Sequence, residues 1–496
     1  MPGMKNGFEK NSVILLLLSL VVFAQVKAAE IPQRGGESLD DKLKSLLLKN
    51  HYPLSNVGVM LKNLDKDSVV VSLNTDAPFN PASVAKLLTA AMAFDKLGAG
   101  YTYKTRVYID GTFNADSGIC NGNLCIKGSG DPSMVIERMW LFVQYLYRFG
   151  GIKTITGDIL LDDSFFDTVS VGPCFEEDSS KSNPYTALVG ALSANFNSVV
   201  VCEKPGGKVG SPVRVEVFPT LPLVDVVTRA KTCDDRKTSN NSITTERYND
   251  RTRIIVNGSM SLNAQPYYIP RKLWQTWGNF GSTVKLFLDE NKITLKGTFK
   301  HGMVPETMKS SKPFYVYESP PIGDIINGML KFSNNYYAEM LFKTISAIQD
   351  SGNGSWEKSS RAASAWWKEK GLPGTPVIKN GSGMGDCNRI SAMQLVALMQ
   401  YVWNQKVFLP EYLNSFPNAG VDGTLTSRFK ESRLKGYLRG KTGTLNDFGV
   451  STLSGYVLLP KGNYAFSILF NSMNSKYPYI NWEMQQKILE MIVPAN

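Results

Sequence analysis

Lys441-Thr442-Gly443-Thr444 is the only place in the chain where Lys-Thr or Lys-Ser is followed by glycine, and it sits in a run of strand character. In a strand, Lys441 and Gly443 share one face while Thr442 and Thr444 share the other. Upstream, Ser83-Val84-Ala85-Lys86 opens an apolar helical stretch, and Ser333-Asn334-Asn335 fills a short break between two more. Residues i and i+3 share a face in the first turn of a helix, so Lys86 is expected beside the Ser83 hydroxyl.

Outward from these three segments, the ends of the chain read as mixed helix and strand. A first helix is expected at 39–50, strands at 57–61 and 68–73, and a helix from Ser83 to Leu97 stopped by Gly98. Helical spacing returns at 322–332, 336–348, 362–370 and 391–405. Strands follow at 437–444, 450–459 and 464–471, the last two joined by Pro460-Lys461-Gly462-Asn463, a turn sequence. A helix at 481–492 closes the chain. Between about 103 and 306 the pattern changes to short strand-like segments punctuated by Gly, Asn, Asp and Pro. They include 105–110, 157–161, 197–201, 213–217, 252–256 and 284–288. The simplest architecture is one α/β domain built from both ends of the chain, carrying a β-rich insertion.

Lys5 and Lys10, the apolar run Val13–Phe23 and the small residues around Ala28 form a secretory leader. Its apolar run is about eleven residues, against roughly 20 needed to span a bilayer. Export puts the mature chain in the periplasm, or at the wall of a Gram-positive cell. The net charge is +11, or about +9 without the leader's three lysines and one glutamate. An exported basic protein is drawn to anionic wall polymers or a membrane surface, as a peripheral association. Nucleic acid is not an expected partner. All six cysteines follow the leader, and an even number in an exported chain fits disulfides. Cys120 and Cys125 flank Asn121-Gly122, a hairpin-turn dipeptide, and are expected to pair. With only His51 and His301 in the chain, neither a Ser-His-Asp triad nor a His-rich zinc site fits. No cofactor and no metal are expected.

The three motifs make a nucleophile that needs no histidine. Ser-x-x-Lys by itself is weak, recurring at Ser282, Ser355, Ser427 and Ser432, but only Ser83 begins a long apolar helix. Burial lowers a lysine's pKa, so Lys86 can take the Ser83 proton as a neutral amine. Ser333 is placed to relay a proton to a leaving amine, and Asn335 to hold a substrate amide. Lys441, Thr442 and Thr444 suit a carboxylate, and the missing side chain of Gly443 is expected to let substrate approach the backbone. The N–H groups of Ser83 and Thr444 would form an oxyanion hole, each donor worth roughly 3–4 kcal/mol of barrier.

Ser-x-x-Lys, Ser-x-Asn and Lys-Thr-Gly, in this order, resemble those of the class C low-molecular-mass penicillin-binding proteins, the D-alanyl-D-alanine carboxypeptidases/endopeptidases of peptidase family S13. The resemblance extends through Gly128-Ser129-Gly130-Asp131-Pro132, Asp162–Asp167, Glu318-Ser319-Pro320, Ser333–Glu339, Gly381-Ser382-Gly383 and Gly420–Leu425. After the signal peptide read at 1–28, it implies a penicillin-binding/β-lactamase-like α/β domain at 29–102 and 307–496. Residues 103–306 would be a β-rich insertion of two nested subdomains. It also implies Ser83 as acylated nucleophile, Lys86 as its base, Ser333 and Asn335 in the cleft, and Lys441-Thr442-Gly443-Thr444 at the terminal carboxylate. Peptidoglycan stem peptides would be substrates and β-lactam antibiotics covalent inhibitors. One departure stands out: Asn380-Gly381-Ser382-Gly383-Met384-Gly385 replaces the family's Asp-Gly-Ser-Gly-Leu-Ser, with Cys387 close behind. That segment reads as a glycine turn that shapes the cleft.

The expected activity is cleavage of D-Ala-D-Ala, as a carboxypeptidase, or of cross-links, as an endopeptidase. A β-lactamase is disfavoured by the long gap between Ser83 and Ser333 and by the lack of a Glu-x-x-x-Asn loop for deacylation. A non-catalytic wall-binding protein or β-lactam sensor would have no need of Ser83, Lys86, Ser333 and Lys441 together.

Overall fold

The computed structural model describes residues 37–175, 182–235, 239–350, 352–473 and 478–495. The leader expected at 1–28 lies outside them.

Five antiparallel strands form the central sheet, in the order Leu438–Leu445, Val450–Leu459, Gly462–Phe470, Val57–Asn63, Ser68–Leu73. Val57–Asn63 pairs along its whole length with Gly462–Phe470, so the two ends of the chain build one sheet. Val450–Leu459 is buried on both faces, and its buried hydroxyls are paired: Ser451 accepts from Gln485, Thr452 donates to the Pro81 carbonyl, and Ser454 meets Ser467. Leu453, Val457 and Ile468 face the helices Leu39–Lys49 and Pro478–Ile492, meeting Leu43, Leu47 and Ile488. Tyr456, Ala465 and Leu469 face the opposite way, into a larger core. That core is built by the helices Lys86–Leu97, Ile322–Lys331, Asn335–Gln349, Trp356–Glu369 and Ala392–Trp403. Lys86–Leu97 runs through its middle and is buried from Lys86 to Phe94, as a helix apolar on every side must be. Gly98, at φ +79°, ends it.

The middle of the chain contributes two more cores. A seven-stranded sheet is built on the hairpin Lys104–Asn114 and Ile119–Lys127. It closes against the helices Ile136–Gln144 and Trp277–Glu290 around Phe142, Phe280 and Val284. Its edge strand, Tyr315–Glu318, comes from beyond residue 306. Nested inside, strands between Ser198 and Lys272 form a three-stranded and a four-stranded sheet around Val199, Val201, Ile254 and Val256.

Two expectations are corrected here. Val284–Leu288, read as a strand, lies inside the helix Trp277–Glu290. Phe280, Val284, Phe287 and Leu288 are buried at helical spacing; a short apolar run fits either element when taken alone. Cys120 and Cys125 do not pair. Both lie on one strand, Ile119–Lys127, and Asn121-Gly122 is no turn but pairs with Thr112 and Gly111. Five strand steps set their Cα atoms about 16 Å apart and turn the side chains to opposite faces, whereas a disulfide needs Cα atoms within about 7 Å. Both are buried free thiols. The disulfide among the described residues joins Cys174 to Cys387.

Candidate active site

The Ser83 turn is held by side chains before it is held by the helix. Asn80 Oδ1 accepts the Ala82 N–H at 2.9 Å, while its Nδ2 donates to the Gly385 carbonyl at 3.0 Å and Asp386 at 2.9 Å. The residues Ala82–Ala85 form a 3-10 turn that runs directly into Lys86–Leu97. Ser83 is half-buried at its surface, and Lys86 is fully buried beneath it. Lys86 Nζ donates to Ser83 Oγ at 2.7 Å, Asn335 Oδ1 at 2.7 Å and the Ser382 carbonyl at 2.8 Å. Burial pulls the Lys86 pKa down to about 7, with nearby Glu339 opposing the fall. The amine is therefore accessible near neutral pH, with the Ser83 hydroxyl as the proton donor closest to hand.

Ser333 sits at φ +57° in the break between Ile322–Lys331 and Asn335–Gln349. Asn334 caps the second helix by accepting the Tyr337 N–H, which places Asn335 in its first turn. Besides meeting Lys86, Asn335 donates through Nδ2 to the Tyr185 carbonyl at 3.1 Å, so the middle of the chain supplies one edge of the cleft. Lys441 Nζ reaches Ser333 Oγ at 2.8 Å and the Thr442 carbonyl at 2.7 Å. Burial pushes the Lys441 pKa well below its usual value, and the neighbouring Lys86 charge pushes the same way. Thr442 donates to Thr424 at 2.9 Å, and Thr444 is exposed.

Leu438–Leu445 is the edge of the central sheet. The Gly440 N–H donates outward to the Pro417 carbonyl, and the Leu438 carbonyl accepts the Ala419 N–H. Its register with Val450–Leu459 is unbroken, so alternation puts the Thr442 and Thr444 N–H groups on the same open edge. Gly443 has a different role from the one expected. A Cβ there would stand 2.3 Å from Thr452 Oγ1 and 2.9 Å from both the Pro81 carbonyl and the Ser83 nitrogen. The missing side chain makes room for the Ser83 turn rather than for substrate, and it brings the Ser83 N–H beside the strand edge that carries Thr444.

The reading of the sequence missed Glu339 and underrated Ser382. Glu339 is one turn beyond Asn335 on the same helix face and is 1% exposed. Its Oε1 accepts the Ser382 N–H at 2.8 Å; its Oε2 accepts the Gly381 N–H at 3.1 Å and the Trp356 indole N–H at 2.7 Å. It thereby fixes the loop whose Ser382 carbonyl receives Lys86. Gly383, at φ +80°, lies so close to the turn that a Cβ would meet the Ala82 carbonyl at 1.8 Å. The Cys174–Cys387 disulfide ties the same loop to the middle of the chain. The signal available was the four-residue spacing of Asn335 and Glu339. Replacing Glu339 by glutamine puts an NH2 group against buried N–H donors. The variant is expected to lose about 1–3 kcal/mol of stability, read as a lower thermal midpoint, together with slower acylation by penicillin.

The D-Ala-D-Ala carboxypeptidase 3 (S13) family model matches residues 39–488. The chain is 29% identical over 411 residues to the D-alanyl-D-alanine carboxypeptidase of Actinomadura sp. (strain R39), covering 80% of this chain and 74% of that one. It is 22% identical over 466 residues to the D-alanyl-D-alanine carboxypeptidase DacB of Haemophilus influenzae, covering 91% and 89%. The crystal structure of penicillin binding protein 4 from Haemophilus influenzae matches with a TM-score of 0.77 at 22% identity, over 89% of this chain and 98% of that one. That likeness shows the fold: a penicillin-binding/β-lactamase-like α/β domain with additional β-sheets.

Proposed function

The chain belongs to the D-Ala-D-Ala carboxypeptidase 3 (S13) family, and from that premise we propose how its residues act as a serine-type D-Ala-D-Ala carboxypeptidase on peptidoglycan. Ser83 Oγ gives its proton to the neutral Lys86 amine and forms a bond to the carbonyl carbon of the penultimate D-Ala. The oxyanion is held by the N–H groups of Ser83 and Thr444. The C–N bond breaks, and the leaving D-Ala amine takes a proton by way of the Ser333 hydroxyl. Water then adds to the ester, giving its proton to Lys86; the acid leaves and Ser83 recovers its proton.

The substrate's terminal carboxylate is received by Lys441, Thr442 and Thr444. Lys441 is buried against Ser333 with no carboxylate in ion-pair range among the described residues, so an incoming anion favours its charged form. Asn335, already bonded to Lys86 and Tyr185, lines the other wall. A cross-link amine in place of D-Ala makes the same attack an endopeptidase reaction. A β-lactam presents a strained amide to the same Ser83, and the Haemophilus influenzae protein was solved complexed with a novel β-lactam. The leader and basic charge support export to the periplasm, with peripheral attachment to wall or membrane.

The observation that carries this reading is the buried Lys86 amine within 2.7 Å of Ser83 Oγ. It sets the pH dependence. Lys86 works deprotonated, and its pKa is lowered to about 7. The kcat/KM for D-Ala release from a soluble peptide is therefore expected to fall about tenfold per pH unit below that value and to level off above it. A profile flat down to about pH 5 would remove Lys86 as the base.

A further inference from the structure

A groove of about 1260 Å3 lies where the middle of the chain meets the helical core, and none of Ser83, Lys86, Ser333, Asn335 and Lys441 lines it. Its walls carry the rings of Phe165, Trp274, Trp277 and His301. Trp277 and His301 lie nearly parallel, with ring centroids 5.0 Å apart. Most of the charges on its walls are paired, Lys309 with Glu306 at 2.6 Å, while Arg247 meets the Asn249 carbonyl. His301 meets Asp163 at 2.6 Å, Lys127 meets Asp162 at 3.8 Å, and Lys358 meets Asp350 at 3.4 Å. Asp167 is held by Lys343 at 2.6 Å.

Aromatic faces beside neutral pairs of donors and acceptors suit an uncharged, polyhydroxylated chain. They do not suit an anionic peptide end, which the Lys441 cleft already serves. The volume exceeds the roughly 300–1,000 Å3 typical of a pocket for one small molecule, as a polymer segment requires. Two segments lead from the groove wall to the active site. The segment whose Tyr185 carbonyl meets Asn335 continues as Leu188, Val189 and Gly190 on the groove wall. Asp167 on the groove wall reaches Lys343, on the helix that Asn335 begins. Those eight helical residues span about 12 Å, a distance that four extended peptide residues cover.

We propose that this groove binds the sugar strand of peptidoglycan, an uncharged β-linked N-acetylated saccharide, while the attached stem peptide reaches Ser83. The proposal rests on the peptidoglycan reading above. It is tested on the full protein by titrating the β-1,4-linked tetramer of N-acetylglucosamine, which carries no peptide, and following tryptophan fluorescence and heat. The wild type is expected to bind, and Trp274→Ala and the exposed His301→Ala to bind at least fivefold more weakly. Both variants should keep wild-type penicillin acylation and D-Ala release from a soluble peptide, which also reports that they are folded. On intact sacculi their D-Ala release should drop severalfold. Absence of binding by the wild type, or equal binding by both variants, would overturn the proposal. Failure of the peptidase reading would show separately, as absent acylation and absent D-Ala release in the wild type.

Discussion

Ser83→Ala is expected to lose D-Ala release by a factor on the order of 10^4–10^6 while keeping its fold. Only one oxygen is removed, from a half-buried side chain at the mouth of the cleft. Lys86 retains two of its three acceptors, Asn335 Oδ1 and the Ser382 carbonyl. The Ser83 N–H, one of the proposed oxyanion donors, belongs to the backbone and survives the substitution. The clamp formed by Asn80 on Ala82, Gly385 and Asp386 does not involve the hydroxyl. The variant should therefore unfold within a few degrees of the wild type and still bind β-lactams reversibly. D-alanine release, followed by chromatography beside a thermal melt, checks both halves. Turnover within tenfold of the wild type would mean that another group carries the acyl intermediate.

Lys86 separates a base from a mere positive charge. Lys86→Met keeps an unbranched apolar chain in a site that excludes water, and removes the amine. General-base catalysis is worth about 10^2–10^4-fold, and penicillin acylation is expected to slow by that amount. Asn335 Oδ1 and the Ser382 carbonyl lose a donor, so a stability loss of about 1–3 kcal/mol should accompany it. Lys86→Arg sharpens the comparison, because a guanidinium stays charged at any working pH and cannot accept the proton. Both variants are expected to lose acylation alike, and in both the rate limb near pH 7 should vanish. Stopped-flow acylation across pH reads this directly. An arginine variant within tenfold of the wild type would assign Lys86 an electrostatic role only.

The parts of the site legible in the sequence are those whose chemistry belongs to side chains at fixed local spacing. Ser83 and Lys86 share a helix face because they are three residues apart. Lys441 and Gly443 share a strand face because they are two apart. Their convergence with Ser333 and Asn335 spans hundreds of residues, and only the order of the motifs announced it. Ser382 stayed hidden because it serves Lys86 through a backbone carbonyl, a group every residue has. Glu339 stayed hidden because its weight comes from burial and from the loop it holds. Gly443 was understood as a space, but its neighbour proved to be the Ser83 turn. The fold was legible at its two ends, where a glycine stops the helix after Ser83 and a turn sequence joins Val450–Leu459 to Gly462–Phe470. It was less so in the middle, where Val284–Leu288 is short enough to fit either period. The cysteines misled because Asn-Gly flanked by strand residues resembles a turn. The register of Lys104–Asn114 with Ile119–Lys127 instead runs straight through it.

The central claim is that Ser83, activated by Lys86, is the residue acylated. Intact mass of the purified protein after incubation with benzylpenicillin, beside Ser83→Ala, tests it most directly. The account predicts one stoichiometric adduct on the wild type, mapped to the peptide containing Ser83 and absent from the variant. An adduct that persists in Ser83→Ala, or a wild type that gains none while the drug remains intact, would contradict it.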